Sequence, residues 1–162
     1  MDGSSVVEIR VISDLSDIDA ADWDACAAPE CVDGGRAAFP FLTHGFLSAF
    51  EDSGSAVPRE GWGPQHLVAT VDGRIVGVMP LYVKGHSQGE YIFDHSWAHA
   101  FEHAGGHYYP KLLSAVPFTP ATGPRLLVRP DGPVDTDTAR AALLQGAIQL
   151  AERNDISSVH LN

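Results

Sequence analysis

Lysine is almost missing from this sequence. Only Lys84 and Lys111 occur in 162 residues, and 21 acidic side chains against 10 basic ones give a formal charge of −11. A surface that tracks a phosphate backbone needs a basic stripe, because its affinity comes from cations that displace counterions. No such cluster exists here, so direct nucleic-acid binding by this segment is not expected. The same sign of charge opposes adsorption to an anionic membrane. Long apolar runs are also missing: nothing approaches the roughly 20 residues of a membrane span. Met1-Asp2-Gly3-Ser4-Ser5 is acidic and small, with no apolar stretch behind a basic one. The chain therefore shows no secretory signal, and a cytoplasmic setting is expected. Cysteine is limited to Cys26 and Cys31, which in a reducing compartment read as buried or idle thiols rather than a disulfide or half a zinc site. A nucleophile elbow, a P-loop, a paired-cysteine zinc pattern and His-Glu-x-x-His are absent too.

The hydrophobic content, 44%, argues against disorder, and the length suits one domain with a real core. Alternation at Val7, Ile9 and Val11 predicts a strand. Ser16 is a candidate cap for a helix holding Ile18, Trp23 and Cys26, ended before Pro29. Asp33-Gly34-Gly35 reads as a loop. Leu42, Phe46, Leu47 and Phe50 mark a second helix, with Thr43 as cap and Gly54 as stop. The apolar runs 66–71 and 74–84 flank Asp72-Gly73, a dipeptide that tolerates the positive φ of a type I′ turn, and predict a β-hairpin. Pro80 within the second run implies an edge or a bulge, since it has no N–H to give a ladder. A further strand is expected over 111–119, and 125–128 extends or follows it. Thr136 and Asp137 cap a long helix through Ala139, Leu143, Leu144, Ala147, Ile148 and Ala151 toward Asn154. A last strand begins at Val159 and reaches Asn162, an open edge that would favour pairing with a second copy. The order β-α-α-β-β-β-α-β predicts an α/β (α+β) domain with a mixed sheet, whose final strand–helix–strand unit makes a right-handed parallel crossover.

Three features bear chemistry. His95, His99, His103 and His107 repeat at a spacing of four, which aligns imidazoles on a helix face and allows a shared metal. Gly105 and Gly106 stop the helix before His107, and the plainer reading is a histidine-rich exposed face, so no metal is assigned. Arg129-Pro130-Asp131-Gly132-Pro133-Val134 precedes the long helix, where free N–H groups can hold a pyrophosphate. Arg129 and Gly132 fit the acetyl-CoA loop of GNAT enzymes, Q/R-x-x-G-x-G/A. Val134 replaces its small residue, Pro133 removes a donor, and Asp131, Asp135 and Asp137 repel phosphate. Coenzyme A binding at Arg129 and Gly132 and a simple capped helix start are the two readings. The third feature is the block Gly89-Glu90-Tyr91-Ile92-Phe93-Asp94, Trp97, Tyr108-Tyr109-Pro110-Lys111 and Pro117-Phe118-Thr119-Pro120-Ala121-Thr122-Gly123-Pro124-Arg125. Aromatic walls with a few polar groups describe a small-molecule or peptide pocket, on a proline-stiffened loop of the kind that carries function. A rigid connector with ordinary core aromatics is the competing reading.

At this block the chain resembles the FemAB-like N-acyltransferases of bacteria, described as peptidoglycan biosynthesis or recognition proteins. The resemblance rests on Pro40-Phe41-Leu42 with His44, Phe46 and Leu47; on Trp62 with Pro64-Gln65-His66-Leu67; on Pro80-Leu81-Tyr82; on Gly89-Glu90-Tyr91 with Phe93-Asp94; and on Tyr108 to Leu112 and Pro117 to Leu126. It covers about Trp23 to Asn162. It implies a GNAT-like fold, of which this chain would be the first, incomplete copy in a longer two-fold protein, with its own C-terminal half as partner. His99 and His103 stand where the family tends to show an acidic residue and an arginine, which weakens the metal reading further.

The resemblance implies acyl or aminoacyl transfer to an amine of an amino acid, peptide or cell-wall precursor, with acyl-CoA or aminoacyl-tRNA as donor. The negative charge argues against tRNA docking on this segment. Glu90 or Asp94 would deprotonate the ammonium. Tyr91, Trp97, Tyr109 and Phe118 would wall the pocket, Thr119 and Thr122 would add polar contacts, and Lys111 and Arg125 would bind a substrate carboxylate, Arg125 by a bidentate fork. The alternative is a non-catalytic domain that recognises a peptide or cell-wall fragment.

Overall fold

The computed structural model describes residues 6–28, 39–88, 90–91 and 93–162. Cys31 and the expected Asp33–Gly35 loop lie outside them. Strands β1 (Glu8–Ile12), β2 (Trp62–Pro64), β3 (His66–Val71), β4 (Arg74–Met79), β5 (Tyr82–Lys84), β6 (Lys111–Ser114), β7 (Leu127–Val128) and β8 (Val159–Leu161) combine with helices α1 (Ala20–Ala27), α2 (His44–Asp52), α3 (His95–His103) and α4 (Thr136–Arg153). The fold is α+β with two four-stranded sheets, in the orders β1-β3-β4-β7 and β2-β5-β6-β8.

The sheets meet in one bent hairpin. Asp72 (φ 50°) and Gly73 (φ 79°) make its turn, as the dipeptide predicts. At the other end Pro80 falls between β4 and β5, where it breaks the ladder it cannot join. The Gln65 N–H donates to the Leu81 carbonyl at 2.8 Å across the break. The Pro80 carbonyl, turned out of the ladder, accepts from the Ser114 hydroxyl at 2.6 Å. β8 lies beside β6 in parallel, with Leu113 opposite His160, so the second sheet is mixed.

Helices cover both faces of the first sheet, which is why β3 is apolar on successive residues. Val68, Ile75, Val78 and Leu127 pack under α1 and α2 with Trp23, Leu42 and Leu47. Leu67, Ala69, Val71 and Val76 face α4 through Ala139, Leu143, Ala147 and Ala151. That helix approaches closely because its buried stripe is mostly alanine. A Cβ on Gly77 would stand 3.1 Å from Leu143 Cδ1.

Several local expectations shift. Asp14 caps a short 3-10 turn and Asp19 caps α1, where Ser16 was expected. Asp135, not Thr136 or Asp137, caps α4. Leu144 and Ile148 are exposed, so the buried stripe of α4 is narrower than the sequence pattern suggests. The strand expected over 111–119 stops at Ser114. Pro117 follows, and Phe118 takes a positive φ of 57°, which carries the chain out of the sheet. α3 ends ahead of Gly105 (φ 88°) and leaves His107 off the helix.

Candidate functional site

Leaving the sheet at Ser114 frees residues 115–125 to arch over the second sheet. Beneath the arch lies a cavity of about 440 Å³, bounded by Ser87, Glu90, Tyr91, Phe93, Asp94 and Trp97, by β6 and β8, and by Trp62 of β2. Glu90, Tyr91, Asp94, Trp97, Lys111, Thr119, Thr122 and Arg125 all line it. Eight of the ten residues expected to bind substrate or move protons thus converge. Tyr109 and Phe118 do not reach the wall. Tyr109 is spent on Asp94 and Ser87, and Phe118 packs against Trp62, ring centroids 5.3 Å apart. Tyr91 and Trp97, 78% and 75% exposed, stand at the mouth rather than within.

Asp94 organises one wall. It begins α3 but its side chain makes no cap bond. The carboxylate instead accepts from Tyr108 Oη at 2.9 Å, from Tyr109 Oη at 2.7 Å and from Lys111 Nζ. Burial acts to raise its pKa, but the bonds from Lys111, Ser87, Tyr109 and Tyr108 outweigh it and hold the carboxyl well below the usual range. Such a group is already satisfied and gives a poor home to a proton. This bonding suits Asp94 to fixing the wall rather than to the base role expected of it. Burial, reinforced by the bond to Asp94, raises the Tyr108 hydroxyl.

Glu90 has a partner that sequence reading passes over. Lys84 is buried, ion-paired to Glu90, with Nζ 3.8 Å from the Trp62 ring centroid. Burial lowers its pKa, and Glu90 opposes that by favouring the charged form. Two lysines thus meet two carboxylates, and both base candidates are engaged in ion pairs.

Arg125 differs. It is 5% exposed, and its guanidinium donates to the Ala121 and Pro124 carbonyls at 2.6 and 3.2 Å. Its Nε has no partner among the described residues, and none of the ion pairs found among them includes it. Burial lowers its pKa, although a guanidinium remains charged in proteins. Trp62 Nε1 is a second buried donor without an acceptor in the described structure.

His160 of β8 also lines the cavity. Its Nε2 lies 2.9 Å from Ser158 Oγ, and burial lowers its pKa, with Lys111 acting the same way and Asp94 against it. Trp62, Ser87 and His160 line the cavity and Lys84 pairs with its Glu90, and sequence reasoning missed all four. Lys84 carried one signal, as one of only two lysines in the chain.

Arg129 and Gly132 do not join the cavity. Arg129 grips Asp131 through Nε and Nη2 at 2.6 and 3.0 Å, and Arg74 holds the same carboxylate at 2.7 Å. Asp135 takes the N–H groups of Asp137 and Thr138 at the start of α4. A Cβ on Gly132 would meet only ordinary contacts at 3.6 Å, so no close backbone approach requires glycine there. Where a cofactor was expected, the chain's own carboxylates take the Arg129 guanidinium and the N–H groups of Asp137 and Thr138, donors a pyrophosphate would use. On α3, His99 and His103 face each other with Nε2 atoms 3.0 Å apart. Among the described residues no group of three metal-ligating side chains forms. No described helix is long and apolar enough to cross a membrane.

Residues 14–162 match the FemAB-like family, described as peptidoglycan biosynthesis/recognition. A crystal structure of an acetyltransferase from Trypanosoma brucei is 16% identical, covering 97% of this chain and 82% of that one, with a TM-score of 0.45. No curated protein matches the sequence.

Proposed function

The chain belongs to the FemAB-like family of peptidoglycan biosynthesis/recognition proteins, and on that premise we propose that it transfers an acyl or aminoacyl group to the amine of an amino acid, peptide or cell-wall precursor that carries a carboxylate. The observation that carries this reading is Arg125. A buried cation without a counter-charge, as Arg125 is among the described residues, is costly; Lys111, the other cation of the wall, is neutralised by Asp94, and Lys84 nearby by Glu90. A ligand carboxylate would restore the balance and accept a bidentate fork from the guanidinium. Thr119 and Thr122 supply polar contacts nearby, and the exposed rings of Tyr91 and Trp97 offer the flank of a peptide or sugar an apolar surface. Holding acceptor amine and donor carbonyl together would supply much of the rate, as it does wherever a bimolecular step becomes local.

The test is turnover. The protein is incubated with activated acyl esters and thioesters and with alanyl-alanine as acceptor, and amide product is followed by mass spectrometry. Amide that forms with the dipeptide but not with its C-terminal amide supports the reading; product indifferent to the carboxylate argues against it. The closed N-terminus of α4 favours a second reading, recognition without transfer, because it leaves an acyl-CoA pyrophosphate without a seat. Saturable binding of muramyl peptides in the absence of any product would select that alternative.

A further inference from the structure

An amine acceptor arrives at neutral pH as an ammonium, which has no lone pair. Acyl transfer therefore needs a proton acceptor in the cavity, and this inference rests on the transferase reading above. Among the titratable groups of the wall, Glu90 is ion-paired to Lys84 and Asp94 is saturated by two tyrosines and Lys111. Tyr108 is itself a donor to Asp94. Lys111 and Arg125 are cations. Tyr91 stands 78% exposed at the mouth. Among the described residues His160 is what remains within the cavity.

We propose that His160 is a catalytic residue, the base that accepts the proton of the acceptor ammonium, and that Ser158 is the positioning residue that sets its tautomer. β6 and β8 pair in parallel with Leu113 opposite His160, and both side chains line the cavity. Val159, one residue earlier and on the opposite face, packs into the core beneath α4, so the pleat commits His160 to the cavity side. Its ring lies 6.0 Å from that of Tyr108. Nε2 is held by Ser158 Oγ at 2.9 Å, and no hydrogen bond occupies Nδ1 among the described residues. With Nε2–H donating to Ser158, Nδ1 carries the basic lone pair.

The charged and titratable groups around the ring are Lys111 and Tyr108 from the β6 side and Asp94 from the start of α3. Burial and Lys111 favour the neutral imidazole while Asp94 favours the charged one, and the sum lowers the pKa. A neutral imidazole is the form that can take a proton at pH 7. The step balances. Nδ1 takes one proton from the ammonium. The freed amine lone pair forms the C–N bond with the acyl carbon of an activated ester or thioester, and the C–O or C–S bond breaks. The second proton of the attacking nitrogen goes to the departing oxygen or sulfur. The amide keeps the third, and His160 returns the first to solvent.

The experiment is a pH profile of kcat/KM for acyl transfer to alanyl-alanine, with His160→Gln, Ser158→Ala and the wild type compared at matched thermal midpoints. His160→Asn serves as a second variant should glutamine fail to fold. The expected result is an acidic limb with a midpoint below the ordinary imidazole value, a fall of about 10²–10⁴ in kcat/KM for His160→Gln with loss of that limb, and an unchanged Kd for the dipeptide. Ser158→Ala is expected to lower kcat and shift the limb while leaving KM in place. The His160 ring resonance, identified by its loss in the variant, is expected to move when the dipeptide binds. Wild-type turnover that survives unchanged in His160→Gln, or a limb that persists there, overturns the role of His160 alone. Absence of wild-type turnover with every donor class overturns the transferase reading and this inference together.

Discussion

Tyr109 donates its hydroxyl to Asp94 across 15 residues of chain, at 2.7 Å, and so fastens the strand that opens with Lys111 to the N-terminus of α3. Tyr108 takes the other oxygen of the same carboxylate. Removing Asp94 takes the hydrogen-bond acceptor from Tyr108 and Lys111 and leaves the Tyr109 hydroxyl with Ser87. Asp94→Ala is expected to cost about 3 kcal/mol, in the range found when one partner of a buried pair is deleted. For a chain of this size that is roughly a 6–12 °C drop in thermal midpoint, readable by calorimetry. A change of a degree or less would show that the network contributes little.

The same carboxylate sets an acid limit. Its folded pKa is depressed, with hydrogen bonds outweighing burial. A depressed carboxyl contributes stability above its unfolded value, about 3.9, and loses it as the pH falls through the folded value. The stability difference between wild type and Asp94→Asn is therefore expected to be constant from neutral pH down to the ordinary carboxylate range and to shrink only below it. Urea melts at stepped pH measure this. A difference that already closes between pH 7 and 5 would contradict the depressed pKa.

Arg125→Lys keeps the charge and removes the planar fork. The dissociation constant for alanyl-alanine is expected to rise about tenfold or more, since lysine binds a carboxylate as a point charge. Isothermal titration reads this directly, and the C-terminal amide of the dipeptide is expected to bind equally weakly to both proteins. Equal affinity of the two proteins for the free dipeptide would mean that Arg125 does not hold its carboxylate.

Acetyl-CoA is expected to show no saturable binding at the start of α4. Asp131 and Asp135 already occupy the cation and the N–H groups a pyrophosphate would use. Arg129→Ala should accordingly leave any thioester turnover unchanged. Tight binding abolished by Arg129→Ala would reinstate that loop as a cofactor site.

Short-range physics was legible in the sequence. The Asp72-Gly73 turn, the break at Pro80, the length of α4 and the helical histidine spacing each depend on φ preferences, missing N–H groups or a period of 3.6, all decided within a few residues. Cap assignments slipped by one to three positions because several neighbouring acids and hydroxyls compete for the same N–H groups. Asp19 and Asp135 prevailed over Ser16 and Thr136. The aromatic and proline-rich block stands out by composition, which is local, and twelve of its residues line one space.

Which of those residues has work left to do was decided only by the tertiary structure. Glu90 and Asp94 look alike in sequence as two acids beside aromatics. Folding gives one to Lys84 and the other to Lys111, Tyr108 and Tyr109, and leaves Arg125 without a counter-charge among the described residues. His160 is one histidine among eight in the chain until the parallel pairing of β8 with β6 sets it on the cavity wall. The elements and the pool of chemical groups were set locally, since they follow from each residue and its near neighbours. Pairing, burial and the surviving unpaired charge depend on which distant segments share a dielectric boundary and a few ångströms of space, and that was set by the bent hairpin and the arch of residues 115–125 over the second sheet.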